Sequence, residues 1–144
     1  MKNFNVTVMN RNTAICESFQ PHSGEFCIIS ISTPQDRTPD FFQNSNCKDV
    51  LKLVFDDVVD IRENGQMMTE EDAKRVAEFC QKNVDKGISN FWVHCDAGIS
   101  RSAGVAAAIL KYYTGDDTQI YDNPKYCPNC HCYRLVLNAL HDTE

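Results

Sequence analysis

Three consecutive apolar residues, Phe91-Trp92-Val93, run directly into His94-Cys95 and then into a short loop of small and polar residues. A strand turns successive side chains to opposite faces, so an apolar residue at every position needs cover on both sides. Only a central strand of a sheet with a layer above and a layer below meets that demand. The rest of the chain supplies the layers. Residues 26–31 form another nearly continuous apolar run rich in β-branched side chains, and residues 4–9 alternate, with Phe4, Val6 and Val8 on one side. Residues 50–55 make a further strand, halted by Asp56-Asp57, whereas residues 33–45 carry two prolines and many polar side chains and read as loop.

Helical patterns fall between the strands. Over residues 69–85, Thr69 is placed to cap, Glu70, Glu71 and Asp72 suit the positive end of the dipole, and Ala73, Val76, Ala77 and Cys80 share a face. Residues 102–113 are Ala-rich and stop at Gly115, and residues 129–140 start at Asn129 with Leu135, Val136, Leu137 and Leu140 as apolar surface. Strands alternating with helices predict an α/β fold: one domain over residues 1–144, with a mainly parallel sheet flanked by helices on both sides. No internal repeat, low-complexity tract or linker-like shift in composition divides it.

At 144 residues the chain is long enough to bury a core without staples. Its formal net charge of −6 argues against general nucleic-acid or membrane-surface binding, both of which call for basic patches. An anionic ligand must therefore be attracted by local groups against the overall field. No stretch approaches a transmembrane span, and the Met1-Lys2-Asn3-Phe4-Asn5 start lacks the apolar core of a signal peptide, so a cytoplasmic location is expected. Of the eight cysteines, several lie within apolar runs, as Cys27 does, and reduced thiols are expected.

The segment His94-Cys95-Asp96-Ala97-Gly98-Ile99-Ser100-Arg101-Ser102 concentrates the chemistry. A strand ends at a cysteine, a loop with two small residues follows, and a helix opens at an arginine six positions on. Such a loop can turn its backbone N–H groups inward, and the helix adds its unpaired N–H groups and dipole end at the same spot. The arrangement binds phosphate and favours an ionised sulfur at its centre, which is the nucleophilic form. Arg101 brings a planar fork that matches two phosphate oxygens, as a lysine could not.

His94, Cys95, Gly98, Arg101 and Ser102 together resemble the His-Cys-x-x-Gly-x-x-Arg-Ser signature loop of protein tyrosine and dual-specificity phosphatases, and the order of elements resembles their compact bacterial and phage-type members. The resemblance implies that Cys95 forms a phosphocysteine intermediate and Arg101 clamps the phosphate. Ser102 would assist departure of the thiolate, His94 would orient the loop, and the amides of Asp96, Ala97, Gly98, Ile99, Ser100 and Arg101 would make the cradle. It also implies hydrolysis of phosphotyrosine, and of phosphoserine or phosphothreonine, in a phosphorylated protein or peptide. A general acid is expected from an aspartate just past a strand upstream of the cysteine. Asp57 is preferred, with Asp56 next and Asp60 third, since Asp56-Asp57 end the strand over residues 50–55.

Near the C-terminus, Cys127, Cys130, His131 and Cys132 offer four potential metal ligands in six residues. Crowding and the lack of a distant second pair favour packing at a helix start, with Pro128 ending a loop and Asn129 capping; a Cys127–Cys130 disulfide is the redox alternative. The catalytic scheme calls for no metal and no cofactor, and a monomer is expected. Three other functions remain open: a catalytically silent phosphate-binding module, a phosphatase of RNA 5′ ends or phosphoinositides, and a sulfur-transfer or arsenate-reducing enzyme. The single basic residue of the loop, Arg101, and the acidic Asp96 at its rim weigh against heavily phosphorylated substrates.

Overall fold

A computed structural model describes residues 3–42 and 46–144. Met1 and Lys2 of the N-terminal pattern, and residues 43–45 of the expected 33–45 loop, lie outside the described residues. Four strands, β1 (Asn5–Asn10), β2 (Phe26–Ser32), β3 (Cys47–Val54) and β4 (Asn90–Cys95), form one all-parallel sheet in the order β1-β4-β2-β3. β4 is thus interior, with Val8 opposite Val93 on one side and Ile29 opposite Val93 on the other. Its Phe91 and Val93 are fully buried and Trp92 nearly so, as consecutive apolar residues require.

Phe91 and Val93 face the main core, which α2 (Glu70–Asp85), α3 (Arg101–Thr114) and α5 (Cys130–His141) close from one side. Trp92 faces the opposite way, stacked on Phe26 at a centroid separation of 3.8 Å, with His22 edge-on to it. That second face is covered by α1 (Arg11–Ser18), by the chain that follows it and by the segment after β2, from which Phe41 joins Phe26, Ile28 and Trp92. α4 (Thr118–Tyr121) is a single turn that buries Ile120 against the main core. Emptying the Phe91 position to alanine would cost about 3–5 kcal/mol, since both of its neighbouring strands pack on it.

The helix ends follow local chemistry. Thr69 and Asp72 form a reciprocal capping box on α2, each backbone N–H donating to the other's side chain at 3.0 Å. α3 is buried over ten successive residues, Arg101 to Leu110, which its small Ala and Gly side chains permit. Gly115 ends it with a left-handed backbone, φ 79°, and Asn129 caps α5 by accepting the Cys132 N–H at 3.0 Å. Strand β3 begins at Cys47 rather than Val50, because an edge strand pairs through its backbone even where Lys48 and Asp49 offer no apolar pattern. Helices α1 and α4 had no counterpart among the expected elements. No helix among the described residues is long and apolar enough to cross a membrane.

Since all strands are parallel, their C-terminal ends share one edge of the sheet, where open α/β sheets bind their ligands. Asn10, Ser32, Val54 and Cys95 end there, and the four segments that follow meet.

Candidate active site

Residues 96–100 leave β4 at Cys95 and enter α3 at Arg101, and each neighbouring strand end grips them. The Arg11 N–H, after β1, donates to the Asp96 carbonyl at 3.2 Å, and the Thr33 hydroxyl, after β2, donates to the Asp96 carboxylate at 2.8 Å. The carbonyls of Ile99 and Ser100 accept from Cys127 N–H and Asn129 N–H at 3.0 and 2.9 Å. The carbonyls of Asp96, Ile99 and Ser100 are therefore engaged by neighbouring segments. From Ala97 to Ser102 no backbone N–H donates to another protein group among the described residues, leaving these donors for an anion.

Gly98 permits this loop for two reasons. Its φ of 69° lies in the left-handed region, and a Cβ there would sit 2.7 Å from the Met9 carbonyl and the Asn10 nitrogen. Ala97 and Ile99 are exposed, Ile99 at the rim with 41% of its surface free, while Asp96 and Ser100 are half-buried.

Cys95 sits at the base of the loop, 2% exposed, with its Sγ 3.1 Å from the Ser102 Oγ in the first turn of α3. Beside it, the Arg101 guanidinium is buried. Nη1 donates to the Phe55 carbonyl at 2.7 Å and to Thr33 Oγ1 at 3.2 Å, and Nη2 lies 3.4 Å from the Asp96 carboxylate. His94 is fully buried, sharing a hydrogen bond between Nε2 and Ser30 Oγ at 2.7 Å, with Nδ1 3.2 Å from the Cys95 carbonyl. Burial pushes its imidazole below the usual range, opposed by the Cys95 carbonyl and reinforced by the Arg11 charge. His94 is thus fixed in place under the loop.

The three candidate aspartates part company here. Asp57 reaches the loop: its Oδ1 accepts from Ser100 Oγ at 2.7 Å and from Asn129 Nδ2 at 2.9 Å. Asp56 turns back within its own segment and accepts the Gln66 N–H at 2.7 Å. Asp60 pairs with the exposed Arg62 at 2.5 Å, which holds its carboxyl below the ordinary range. Only Asp57 of the three is bonded to residues 96–101 among the described residues.

Sequence reading missed Thr33 and Ser30, and it gave Asn129 only a capping role. Their partners lie more than 60 residues away in the chain, so no local pattern marks them. The C-terminal cysteine cluster is dispersed. His131 is buried with Nε2 on the Met68 carbonyl at 2.8 Å and Nδ1 on Arg134, and Cys132 is buried with its thiol pushed far up by desolvation. Cys127 and Cys130 are exposed. Among the described residues no group of three or more His, Cys, Asp or Glu side chains is arranged to hold a metal ion.

The sheet order, its flanking helices and the strand–loop–helix junction at Cys95 define the fold of dual-specificity and tyrosine phosphatase-like proteins. Human DUSP28 matches it with a TM-score of 0.58 at 16% identity, over 96% of this chain and 92% of that one. PTPMT1 in complex with PI(5)P matches with 0.56 at 15%, over 97% and 92%, and the human tyrosine phosphatase-like serine/threonine/tyrosine-interacting protein with 0.55 at 21%, over 83% and 79%. No family model and no curated protein sequence matches the chain.

Proposed function

We propose that this protein is a cysteine-dependent phosphatase that hydrolyses phosphate monoesters on a protein or peptide, with Cys95 as nucleophile, Arg101 as clamp and Asp57 as general acid and base. The observation that carries this reading is the convergence of Cys95 Sγ, the unengaged amides of residues 97–102, the buried Arg101 and the loop-bound Asp57 at one edge of the sheet.

In the first step the Cys95 thiolate attacks phosphorus. The bond between phosphorus and the ester oxygen breaks as Asp57 gives its proton to that oxygen. The amides and the Arg101 fork hold the three equatorial oxygens as charge shifts among them. In the second step Asp57, now a carboxylate, takes a proton from water as its oxygen attacks phosphorus. The S–P bond breaks, and the Ser102 hydroxyl, 3.1 Å away, donates to the departing sulfur. Phosphate leaves and the thiolate is restored. His94, buried and bonded to the Cys95 carbonyl, holds the strand end that carries the sulfur.

Two carboxylates, Asp57 and Asp96, border the cradle, and the one guanidinium bonded to it is buried. With an exposed apolar side chain, Ile99, at the rim, this favours a single phosphate on an apolar-flanked side chain over a polyanionic lipid or RNA end.

The test is turnover of 4-nitrophenyl phosphate and phosphotyrosine peptides in the presence of a chelator. Wild type hydrolyses both, vanadate inhibits, and Cys95→Ser is inert while still binding the phosphopeptide. Binding without turnover in the wild type would leave a phosphate-binding module instead, and preference for a phosphoinositide would reassign the substrate.

A further inference from the structure

Asn129 caps α5, but its side chain also has partners that a cap does not need. Its Oδ1 accepts the Cys132 N–H at 3.0 Å, which fixes the amide so that Nδ2 points the other way. There Nδ2 donates to Asp57 Oδ1 at 2.9 Å and to the Val58 carbonyl at 3.2 Å. The Asn129 backbone N–H meanwhile donates to the Ser100 carbonyl at 2.9 Å. One residue therefore joins α5, the cradle and the segment carrying the acid.

It has little freedom to do otherwise. Asn129 is 2% exposed, and its carbonyl lies 2.5 Å from where a Cβ on Gly104 would stand, so α3 and the cap meet backbone to backbone. The hydroxyl of Ser100 supplies the second bond to the same carboxylate oxygen at 2.7 Å. With Oδ1 taken by two donors, the transferable proton belongs on Oδ2, which carries no protein hydrogen bond among the described residues. Fixing a carboxyl by one oxygen orients the other.

Resting on the phosphatase reading, we propose that Asn129 is a positioning residue for proton transfer: together with Ser100 it holds Asp57 Oδ1 and presents Oδ2 to the leaving-group oxygen. A purely structural cap predicts something different. Losing the cap weakens α5 and the loop, and affects every substrate alike. Losing the positioning donor lowers kcat/KM, which reports the first step, only for substrates whose leaving group needs a proton.

Asn129→Ser separates the two, because serine caps a helix nearly as well as asparagine but cannot reach Asp57. Asn129→Thr, also a cap whose hydroxyl cannot reach Asp57, serves as a second variant should the first fold poorly, with thermal unfolding as the check. The substrates are 4-nitrophenyl phosphate, whose phenol departs readily, and phenyl phosphate, whose phenol does not. Expected in either variant is a fall in kcat/KM of about 10- to 100-fold on phenyl phosphate, with 4-nitrophenyl phosphate within about twofold of wild type. In an Asp57→Asn background the same change should have no additional effect on phenyl phosphate. Equal losses on both substrates, no loss on either, or a further loss in the Asp57→Asn background would overturn the assignment. A wild type inert on both substrates would instead sink the phosphatase reading beneath it.

Discussion

Replacing Gly98 by alanine isolates what the cradle demands of its backbone. An L-residue in the left-handed region costs about 1–2 kcal/mol. At Gly98, φ 69°, the new methyl group would also meet the Met9 carbonyl and Asn10 nitrogen at 2.7 Å, and these are main-chain atoms at the end of a paired strand that cannot swing aside. Overpacking of that kind adds about 1–3 kcal/mol, for a total of about 2–5 kcal/mol. Gly115 provides the control: its φ is 79°, yet nothing lies within 4 Å of a Cβ there, so Gly115→Ala carries the conformational cost alone. Urea unfolding of both variants should therefore place Gly98→Ala about 1–3 kcal/mol below Gly115→Ala, or about 3–10 °C lower in Tm for a domain of this size. Turnover should collapse in the first and persist in the second. Equal destabilisation of the two variants would refute the reasoning, because it would mean that the close approach of the loop to the β1 end carries no energetic weight.

Arg101→Lys should lower kcat/KM by about 100-fold or more, since an ammonium cannot hold the Phe55 carbonyl and two phosphate oxygens together; steady-state kinetics on an aryl phosphate check it. Asp57→Asn should cost about 100-fold or more on phenyl phosphate, whereas Asp60→Asn, which only frees the exposed Arg62, should stay within about twofold; comparable losses would unseat Asp57. The pH dependence of stability should carry a His94 component. Its imidazole titrates below the ordinary value near 6.5 because burial opposes the charged form, so the unfolded chain binds the proton more readily. Stability from this group is complete above that ordinary value and is lost as pH falls below it toward the folded-state value. His94→Gln should flatten the decline in urea-unfolding free energy between pH 7 and pH 5, and an unchanged slope would count against a neutral buried ring.

Much of the frame was legible because its signals are local. Phe91-Trp92-Val93 demanded cover on both faces and obtained it, and Thr69, Asn129 and Gly115 mark helix ends through chemistry that acts within a turn. Helix α1 was not legible, since it buries only Ala14 and Ser18, with Ile15 half-buried; its apolar pattern is too sparse to stand out. Helix α4 is too short to have a period. At the site, the loop from Cys95 to Ser102 could be read because strand, loop and helix are contiguous. Asp56, Asp57 and Asp60 could not be separated, because which of them turns toward Ser100 depends on where α5 places Asn129, 72 residues downstream of Asp57. Thr33 and Ser30 were invisible for the same reason: a hydroxyl at the end of a strand acquires meaning only from what lies across the sheet.

The ten-residue buried stretch of α3 has a bearing on how firmly the loop before it is held. Cys95 terminates an interior strand and Arg101 opens that stretch, so both ends of the loop are anchored in buried structure, like an anvil. The chain just past Asp57 is built differently. Residues 59–66 have no regular secondary structure and are almost all exposed, and Ile61 leaves 83% of its surface to solvent. Changes of sequence in residues 59–66 therefore disturb little packing, whereas the sulfur and the guanidinium are held by groups with no room to shift.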